Sequence, residues 1–181
     1  MAGTTWFMGD IHFGHANIVN FVDNDGARIR PFDDIDHHDE MLIKNFNDLV
    51  MPGDRVYCLG DLAFNRTQLA KVGRLNGRKK LLKGNHDILD MKDYAKYFED
   101  VSSYRIYPKD GLIFSHIPVH PCQFDKRFKA NPHGHLHAND ILIEGTSLRD
   151  LRYLNLCPEK TEFKPVNYDQ VIETLRKRGV M

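Results

Sequence analysis

Residues 5–12 read Thr5-Trp6-Phe7-Met8-Gly9-Asp10-Ile11-His12, a short run of strand-forming residues followed by glycine and two possible metal ligands. The run predicts a buried β-strand. Glycine allows the chain to turn sharply at the end of this strand. The Asp-x-His spacing puts both side chains on the same side of an extended segment, so they can converge. Taken alone, the pattern also fits a turn aspartate followed by a surface histidine.

The same pattern recurs at later strand ends, as Gly60-Asp61, Gly84-Asn85-His86-Asp87, Ser115-His116 and Gly134-His135-Leu136-His137. The carboxyl ends of strands in an α/β sheet are where binding sites assemble. We therefore expect seven side chains to lie together: Asp10, His12, Asp61, Asn85, His116, His135 and His137. Carboxylate, carboxamide and imidazole groups suit divalent Mn, Fe, Zn or Ni better than they suit thiolate-preferring metals. Each motif is weak alone, whereas their joint occurrence after apolar strands strongly indicates a metal centre.

The apolar periodicity predicts strands that alternate with helices, as in a layered α/β domain. The predicted strands cover 5–8, 55–59, 79–83, 101–107, 111–115, 140–144 and 151–156, and the predicted helices cover 33–50, 66–75, 91–99 and a segment capped by Asn167. In the 33–50 helix we expect Ile35, Leu42, Phe46 and Leu49 to share the buried face, with His37 and His38 solvated. The run of strands after residue 100 indicates a mixed sheet, or two sheets, in a single domain spanning 1–181.

Composition narrows the class of protein. The chain has 181 residues, with 25 basic and 25 acidic side chains, so there is no global charge that would favour nucleic acid or membrane binding. The three cysteines lie far apart and outside any CxxC pair, which indicates reduced thiols in a cytoplasmic protein. We expect neither a signal peptide nor a membrane-spanning segment.

The ordered motifs Asp-x-His, Gly-Asp, Gly-Asn-His-Asp, His and Gly-His-x-His resemble the calcineurin-like metallophosphoesterase superfamily over residues 4–156. The similarity is greater to the small single-domain members of bacteria and bacteriophages. It implies a four-layer α/β/β/α sandwich of two mixed sheets around a dinuclear metal centre. By matching motifs, one metal would be held by Asp10, His12, Asp61 and His137, and the other by Asp61, Asn85, His116 and His135.

A centre of this kind activates a bridging water and clamps the phosphoryl oxygens. We expect the bridging hydroxide to attack phosphorus in line. His86 is not needed as a ligand and is predicted to be catalytic, either neutralising the phosphate or protonating the leaving oxygen. Asp87 is predicted either to act with it, by orienting the His86 ring, or to cap the next helix.

Three further side chains are weaker candidates for contacting the substrate or supporting the ligands: His15, His120 and Arg30. His15 is predicted equally to contact the substrate or to support the ligands. A packed loop position is the alternative for His120, and a solvated position is the default for Arg30, which lies in a Gly/Asp-rich loop. His133 is predicted to support the Gly-His turn that follows it. The basic and aromatic segment 125–129 is predicted to be a solvated loop, with nucleotide binding as the alternative.

The predicted reaction is phosphoester hydrolysis, with a phosphodiesterase acting on a nucleotide-like or cyclic phosphate as the first choice and a phosphomonoesterase as the alternative. Gly60-Asp61 continues as Leu62-Ala63-Phe64-Asn65, not into the Asp-Arg-Gly of the protein Ser/Thr phosphatases. A non-catalytic scaffold that binds a protein partner would typically have lost ligands, and a structural zinc site would favour Cys and His. The expected partners are two divalent metal ions and a small phosphoester, with no membrane and no obligatory protein partner. Whether the substrate is a nucleotide, and whether the chain forms a homo-oligomer, stays open.

Overall fold

The computed structural model describes residues 3–23, 25–124 and 127–181, and its strands form two mixed sheets. In chain order the strands are β1 (Thr5–Met8), β2 (Arg55–Cys58), β3 (Arg78–Leu82), β4 (Asp100–Ser102), β5 (Tyr104–Tyr107), β6 (Leu112–Ser115), β7 (Asn131–His133), β8 (Tyr153–Asn155) and β9 (Val166–Asn167). The first sheet has the order β4-β3-β2-β1-β9 and the second the order β5-β6-β7-β8. Two mixed sheets in an α/β fold are therefore confirmed.

The direction of the strands places the strand-end motifs together. Strands β1 to β4 are parallel, and Phe7 of β1 is in register with Tyr57 of β2. Strands β6, β7 and β8 are parallel to one another in the second sheet, while β5 and β9 run antiparallel to their neighbours. Because parallel strands end at the same edge, the loops after β1, β2 and β3 leave the first sheet on one side.

The helices are shorter than the sequence predicts. They are α1 (Ile35–Asn47), α2 (Arg66–Leu69), α3 (Met91–Tyr94) and α4 (Tyr168–Lys177), with 3-10 turns at Ala16–Asn20, Ala70–Arg74, Pro121–Gln123 and Pro158–Lys160. The predicted 66–75 helix is thus an α-turn that continues as a 3-10 turn. Asn167 caps α4 as predicted, since its side chain accepts a hydrogen bond from the Gln170 backbone N–H, and the Gln170 side chain accepts from the Asn167 N–H.

One face of α1 differs from the prediction. Leu42 and Phe46 are buried as expected, and Asp34 caps the helix through a 2.8 Å hydrogen bond from the His37 backbone N–H. Leu49, however, lies beyond the end of the helix and is 40% exposed. The predicted solvation of His38 is wrong, because this side chain is fully buried, whereas His37 is exposed.

Two apolar cores lie on the two faces of the first sheet. Met8, Leu42 and Phe46 belong to the core between this sheet and α1. The other core lies between the two sheets, where the rings of Phe7 and Phe114 stack with centroids 4.1 Å apart, and α4 contributes Val171, Ile172 and Leu175 to it. Face-to-face packing of the sheets is what brings the strand ends of both sheets to a common edge.

The outer face of the second sheet is covered by a thin layer instead of a long helix. The Tyr153 hydroxyl donates a 2.6 Å hydrogen bond to the Val119 carbonyl, and the Phe124 ring packs edge-on against Tyr153. This thin layer is segment 117–124, which includes a 3-10 turn and lies where the fourth layer of the predicted sandwich is expected. Residues 125 and 126 of the predicted solvated loop lie outside the described residues, while Phe128 of the same segment is buried.

The strand predictions differ from the structure at four places. The single strand predicted at 101–107 is divided into β4 and β5, which belong to different sheets, and β9 was not predicted. Segment 140–144 is not a strand, since it forms a single bridge between Leu142 and Arg149 and leaves Leu142 and Ile143 about half exposed. Strand β7 (Asn131–His133) was not predicted, because Pro132 argues against a strand interior. Among the described residues, no helix has the length and apolar character needed to cross a bilayer.

Candidate metal centre

The seven predicted ligands come together in two adjoining groups. Possible ligand atoms of Asp10, His12 and His137 lie within 4.8 Å of one another, and those of Asp61, His116 and His135 do the same. Asn85 joins the second group, since its Oδ1 lies 2.9 Å from His116 Nε2. The two groups touch, because Asp10 Oδ2 accepts a 2.9 Å hydrogen bond from the His135 backbone N–H.

The backbone at these positions is held in an uncommon conformation. Five of the seven side chains sit on residues with left-handed φ angles: Asp10 at 50°, His12 at 56°, Asp61 at 53°, His135 at 72° and His137 at 50°. Such conformations are disfavoured for residues other than glycine and persist where the surrounding structure enforces them. Here they occur after β1, β2 and β7, three of the five strand ends that carry predicted ligands, and such a concentration of strained backbone is typical of functional sites.

Close approach of the strand ends also needs glycine. A Cβ atom added to Gly134 would lie 2.3 Å from Asp10 Oδ2 and 3.0 Å from the Leu59 carbonyl oxygen. Only a residue without a side chain allows the loop after β7 to lie directly against the loop after β1. The glycine before the Gly-His-x-His ligands is therefore part of the geometry that joins the two groups.

Several buried polar atoms in the first group have no hydrogen-bond partner among the described residues. They are Asp10 Oδ1 and both ring nitrogens of His12, and Asp10 Oδ1 lies 4.0 Å from His12 Nε2. Burial raises the pKa of Asp10 to about 6, and burial together with the Arg30 charge lowers the pKa of His12 to about 2. Unpaired buried groups are costly. A divalent cation bound between them would satisfy both, so this donor set fits a metal ion.

Two of the imidazole rings are oriented by hydrogen bonds from their Nδ1 atoms to neighbouring oxygens. His116 Nδ1 donates a 2.7 Å hydrogen bond to the Leu59 carbonyl, which leaves its Nε2 directed at Asp61 Oδ2, 3.4 Å away. His137 Nδ1 donates a 2.9 Å hydrogen bond to Glu159 Oε1, which leaves its Nε2 available. Hydrogen bonds of this kind select the tautomer and the ring orientation of a metal-binding histidine.

Glu159 is a site residue that the sequence did not indicate. Its carboxylate is buried, and burial acts to raise its pKa, but the hydrogen bond from His137 and the charge of Arg30 outweigh this effect and lower the pKa to about 2. Its Oε1 accepts from Arg30 Nε at 2.8 Å and from His137. Glu159 follows β8, so including every acidic residue just beyond a predicted strand would have identified it.

Arg30 lies beneath the site and does not reach into it. It is fully buried, and its guanidinium donates to the backbone carbonyls of Asp10 at 2.5 Å and Ile11 at 2.9 Å, besides contacting Glu159 and His38. These contacts hold the strained segment that carries the first two ligands. Arg30 is fully buried, so its predicted position in a solvated loop is wrong, and its contacts agree with support of the predicted ligands.

The buried position of His38 belongs to the same network. Its Nε2 accepts from Arg30 at 2.9 Å, and its Nδ1 donates to Asp39 Oδ1 at 2.8 Å. Asp39 Oδ2 accepts from the Gly14 N–H at 2.9 Å and from Lys71 Nζ at 2.6 Å. A chain of polar contacts therefore runs from α1 to the backbone of the first ligands.

His86 and Asp87 take separate positions. His86 is exposed, with its ring centroid 6.1 Å from that of His12, and its backbone N–H donates to Asp61 Oδ1 at 2.8 Å. Asp87 is buried and accepts from the backbone N–H groups of Asp61 at 2.9 Å and Gly84 at 2.8 Å. Its carboxylate thus holds two strand ends together, in place of the predicted orientation of His86, and the cap of α3 is Asp90.

The remaining candidates divide between the site and its surroundings. The ring of His15 lies 5.9 Å from that of His12, and its Nδ1 is buried without a partner in the described residues. His120 is exposed and accepts a 3.3 Å hydrogen bond from the Cys122 N–H, so it belongs to the layer over the second sheet. His133 donates to the Gly134 carbonyl at 2.7 Å, and burial lowers its pKa to about 4, as suits a residue that supports the turn.

Two mixed sheets with these ligand groups at their common edge form a metallophosphoesterase fold. The chain belongs to the calcineurin-like phosphoesterase family, whose model matches residues 3–176. It is 28% identical to an uncharacterized protein of Methanocaldococcus jannaschii over 97% of this chain and 93% of that protein. It is 37% identical to the Gene 66 protein of Mycobacterium phage D29, over 81% and 84% of the two chains. A crystal structure of a protein of unknown function from Aquifex aeolicus has the same fold, with a TM-score of 0.68, 24% identity and coverage of 94% of this chain and 98% of that one.

Proposed function

We propose that the protein is a dinuclear, metal-dependent phosphodiesterase that acts on a small nucleotide-like or cyclic phosphate. The observation that carries the proposal is the pair of ligand groups joined by the Asp10–His135 contact, with buried ligand atoms that have no other partner among the described residues. Asp61 is proposed to bridge the two ions, and Mn, Fe, Zn and Ni all suit the donors. Two divalent ions bound there would supply an activated water and would neutralise charge on the phosphoryl oxygens.

The charge around the centre supports a diester more than a monoester. A phosphomonoester carries up to two negative charges near neutral pH, and a guanidinium is a common partner for such a group. Among the described residues, the Arg30 guanidinium contacts the site, but it is fully buried and committed to two carbonyl oxygens, Glu159 and His38. A diester carries a single negative charge and does not need a guanidinium partner in addition to the metal ions.

His86 is proposed to be the catalytic histidine. Its side chain is exposed beside the first ligand group, and its backbone N–H is fixed by Asp61. From this position the ring can donate a proton to the leaving oxygen or a hydrogen bond to the phosphate. Asp87 positions this segment, because its buried carboxylate holds the backbone of Gly84 and Asp61 together.

The test of the proposal is hydrolysis by protein loaded separately with Mn, Fe, Zn or Ni. The substrates are bis-p-nitrophenyl phosphate, p-nitrophenyl phosphate, and 2′,3′- and 3′,5′-cyclic nucleotides. We expect kcat/KM for the best diester to exceed that for the monoester at least about tenfold, equivalent to about 1.4 kcal/mol of transition-state stabilisation. Turnover of the monoester alone would make the protein a phosphomonoesterase. Absence of turnover with every metal would favour a non-catalytic scaffold.

The role of His86 is tested with the His86→Ala variant. We expect kcat to fall about 10²- to 10⁴-fold, the range typical for loss of a general acid, while two metal ions per chain remain by elemental analysis. Loss of one ion would instead identify His86 as a ligand. The His37→Ala variant is the matched control, because His37 is an exposed histidine on α1 that pairs with Asp33.

The proposed partners are two divalent metal ions and the phosphoester, with no obligatory protein partner and no membrane. We also propose a cytoplasmic location. Cys58, Cys122 and Cys157 are free thiols in the structure, which agrees with the reducing conditions of that compartment.

A further inference from the structure

Four rings form a continuous arc beside the first ligand group, and we call it the aromatic arc: Phe21, His15, Phe64 and His86. Neighbouring ring centroids lie 5.8 Å, 4.8 Å and 5.1 Å apart along the arc, and each pair meets edge-to-face. The ring of Phe64 also stacks on that of His12, with centroids 5.4 Å apart and an angle of 25°. The arc therefore adjoins a predicted metal ligand and includes the proposed catalytic histidine.

The arc is partly open to solvent. Phe21 is 43% exposed and Ile88, which follows His86 and Asp87 in the chain, is 74% exposed. Phe64 and His15 are half-buried, and His86 is exposed. Isolated exposed apolar residues are ordinary at protein surfaces. Here Phe21 belongs to the arc and Ile88 follows His86 by two residues, so a ligand bound over the arc would remove apolar surface from water, which is favourable.

The loops that carry the ligands also carry the rings. Phe64 lies three residues after Asp61, and His15 lies three residues after His12. The turn that places His15 needs Gly14, which has a φ of 70° and would clash with Gln68 if it carried a Cβ. The distance between the ring surface and the phosphate site is thereby set by the same short loops that place the metal ligands.

We infer that the aromatic arc binds a planar ring carried by one arm of the substrate, so that the substrate class is an aryl or nucleobase-bearing phosphoester. This inference rests on the proposed function for the position of the phosphate. Phe64 is the central residue, since it lies between His15 and His86 and contacts both. Stacking of a base on an aromatic side chain tolerates different bases, because every base has a π-face.

The test measures binding by isothermal titration calorimetry of metal-loaded protein, with adenosine 5′-monophosphate and ribose 5-phosphate as the two ligands. They share the sugar phosphate and differ in the base, so the ratio of their Kd values reports the base alone. We expect ribose 5-phosphate to bind at least about tenfold more weakly, since about 1.4 kcal/mol corresponds to tenfold. The Phe64→Ala variant should reduce this ratio to within about twofold of one.

Three further variants separate ring binding from packing. Phe64→Tyr keeps an aromatic face and should keep the ratio, whereas Phe64→Leu keeps bulk beside His12 and should lose most of it. Phe124→Ala is the matched control, because Phe124 packs on Tyr153 on the outer face of the second sheet. A ratio near one in the unmodified protein, or equal effects of Phe64→Ala and Phe124→Ala, would overturn the inference.

This titration and the hydrolysis assay described above together separate this inference from the proposed function. Base-dependent binding without hydrolysis of any phosphodiester would retain the ring-binding arc and reject the phosphodiesterase. Hydrolysis of a diester with a Kd ratio near one would retain the enzyme and reject the arc.

Discussion

Adding one methyl group at Gly60 tests whether the strand ends are packed as tightly as the structure shows. Gly60 precedes Asp61 and has a φ of 85°. A Cβ atom at this position would lie 2.6 Å from the Gly84 backbone N and 2.8 Å from His116 Nδ1. The Gly60→Ala variant therefore suffers two effects, a disfavoured left-handed backbone and a collision with the neighbouring strand end.

The two effects can be separated with glycines elsewhere in the chain. Gly145 has a φ of 73° and open space around its would-be Cβ, so Gly145→Ala reports the backbone effect alone, about 1–2 kcal/mol. Gly84 lacks a left-handed φ, and its Cβ would lie 2.2 Å from Asp61 Oδ1, so Gly84→Ala reports a collision between the same two strand ends without the backbone effect. Overpacking typically costs about 1–3 kcal/mol. We expect Gly60→Ala to be destabilised by about 2–5 kcal/mol, the sum of the two ranges.

The assay is thermal and urea unfolding of the three variants in EDTA, so that bound metal does not contribute. For a chain of 181 residues, each kcal/mol lowers Tm by about 2–4 °C, so Gly60→Ala should melt about 2–12 °C below Gly145→Ala. Gly84→Ala should in addition bind metal more weakly, because its methyl group displaces a proposed bridging ligand. Equal unfolding free energies for Gly60→Ala and Gly145→Ala would refute the close packing of the strand ends.

Three further outcomes follow from the site. The Glu159→Gln variant should bind metal about 10- to 100-fold more weakly by competition with a chelator, because His137 loses its charged partner, whereas Glu162→Gln, at an exposed site, should not. Metal at 1,000 times its Kd should stabilise the protein by about 4 kcal/mol, which calorimetry would show as a rise in Tm that EDTA reverses. Acid should destabilise the fold through His133, whose pKa of about 4 lies below its ordinary value of 6.5. Between these pH values the unfolded chain binds a proton that the folded chain does not, so stability falls with decreasing pH, by about 3 kcal/mol in total. In urea unfolding with EDTA present, the unfolding free energy of His133→Gln should depend less on pH between 6.5 and 4, by a slope that corresponds to one proton fewer bound on unfolding. The same slope in the variant and the unmodified protein would contradict the assignment.

Apolar runs at β1 and β2 were readable in the sequence because a strand buried on both faces needs no alternating pattern. The same rule failed at 140–144, where Ile141, Leu142 and Ile143 resemble a buried strand but form, among the described residues, only an isolated bridge between Leu142 and Arg149. It also missed β7, in which Pro132 lies beside fully buried Asn131, whose side chain donates to the Ile113 carbonyl at 2.6 Å. The apolar pattern of a segment shows whether it can be buried, whereas the neighbouring strands decide whether it pairs as a β-strand.

In helix α1 the local sequence pattern likewise failed to predict the burial of a polar residue. Its period placed Leu42 and Phe46 correctly, but His38 and Asp39 share the buried side with them. Their burial depends on Arg30, a residue from a different loop that supplies the hydrogen bond His38 needs. Arg30 lies only eight residues before His38, but the helical period by itself does not show that the two side chains meet.

The sequence by itself determined the types of the predicted ligands and their position after strands, since each motif is a local run of a few residues. It could also indicate that they converge, because parallel strands end at a common edge. Only the tertiary structure decided how they are held. The left-handed backbone at Asp10 and His12, the Arg30 guanidinium beneath them and the Glu159 carboxylate behind His137 come from segments far apart in the chain. Backbone strain and buried charges are stable only when groups from distant segments supply compensating contacts. They therefore cannot be predicted from the local sequence and are seen only in the folded structure.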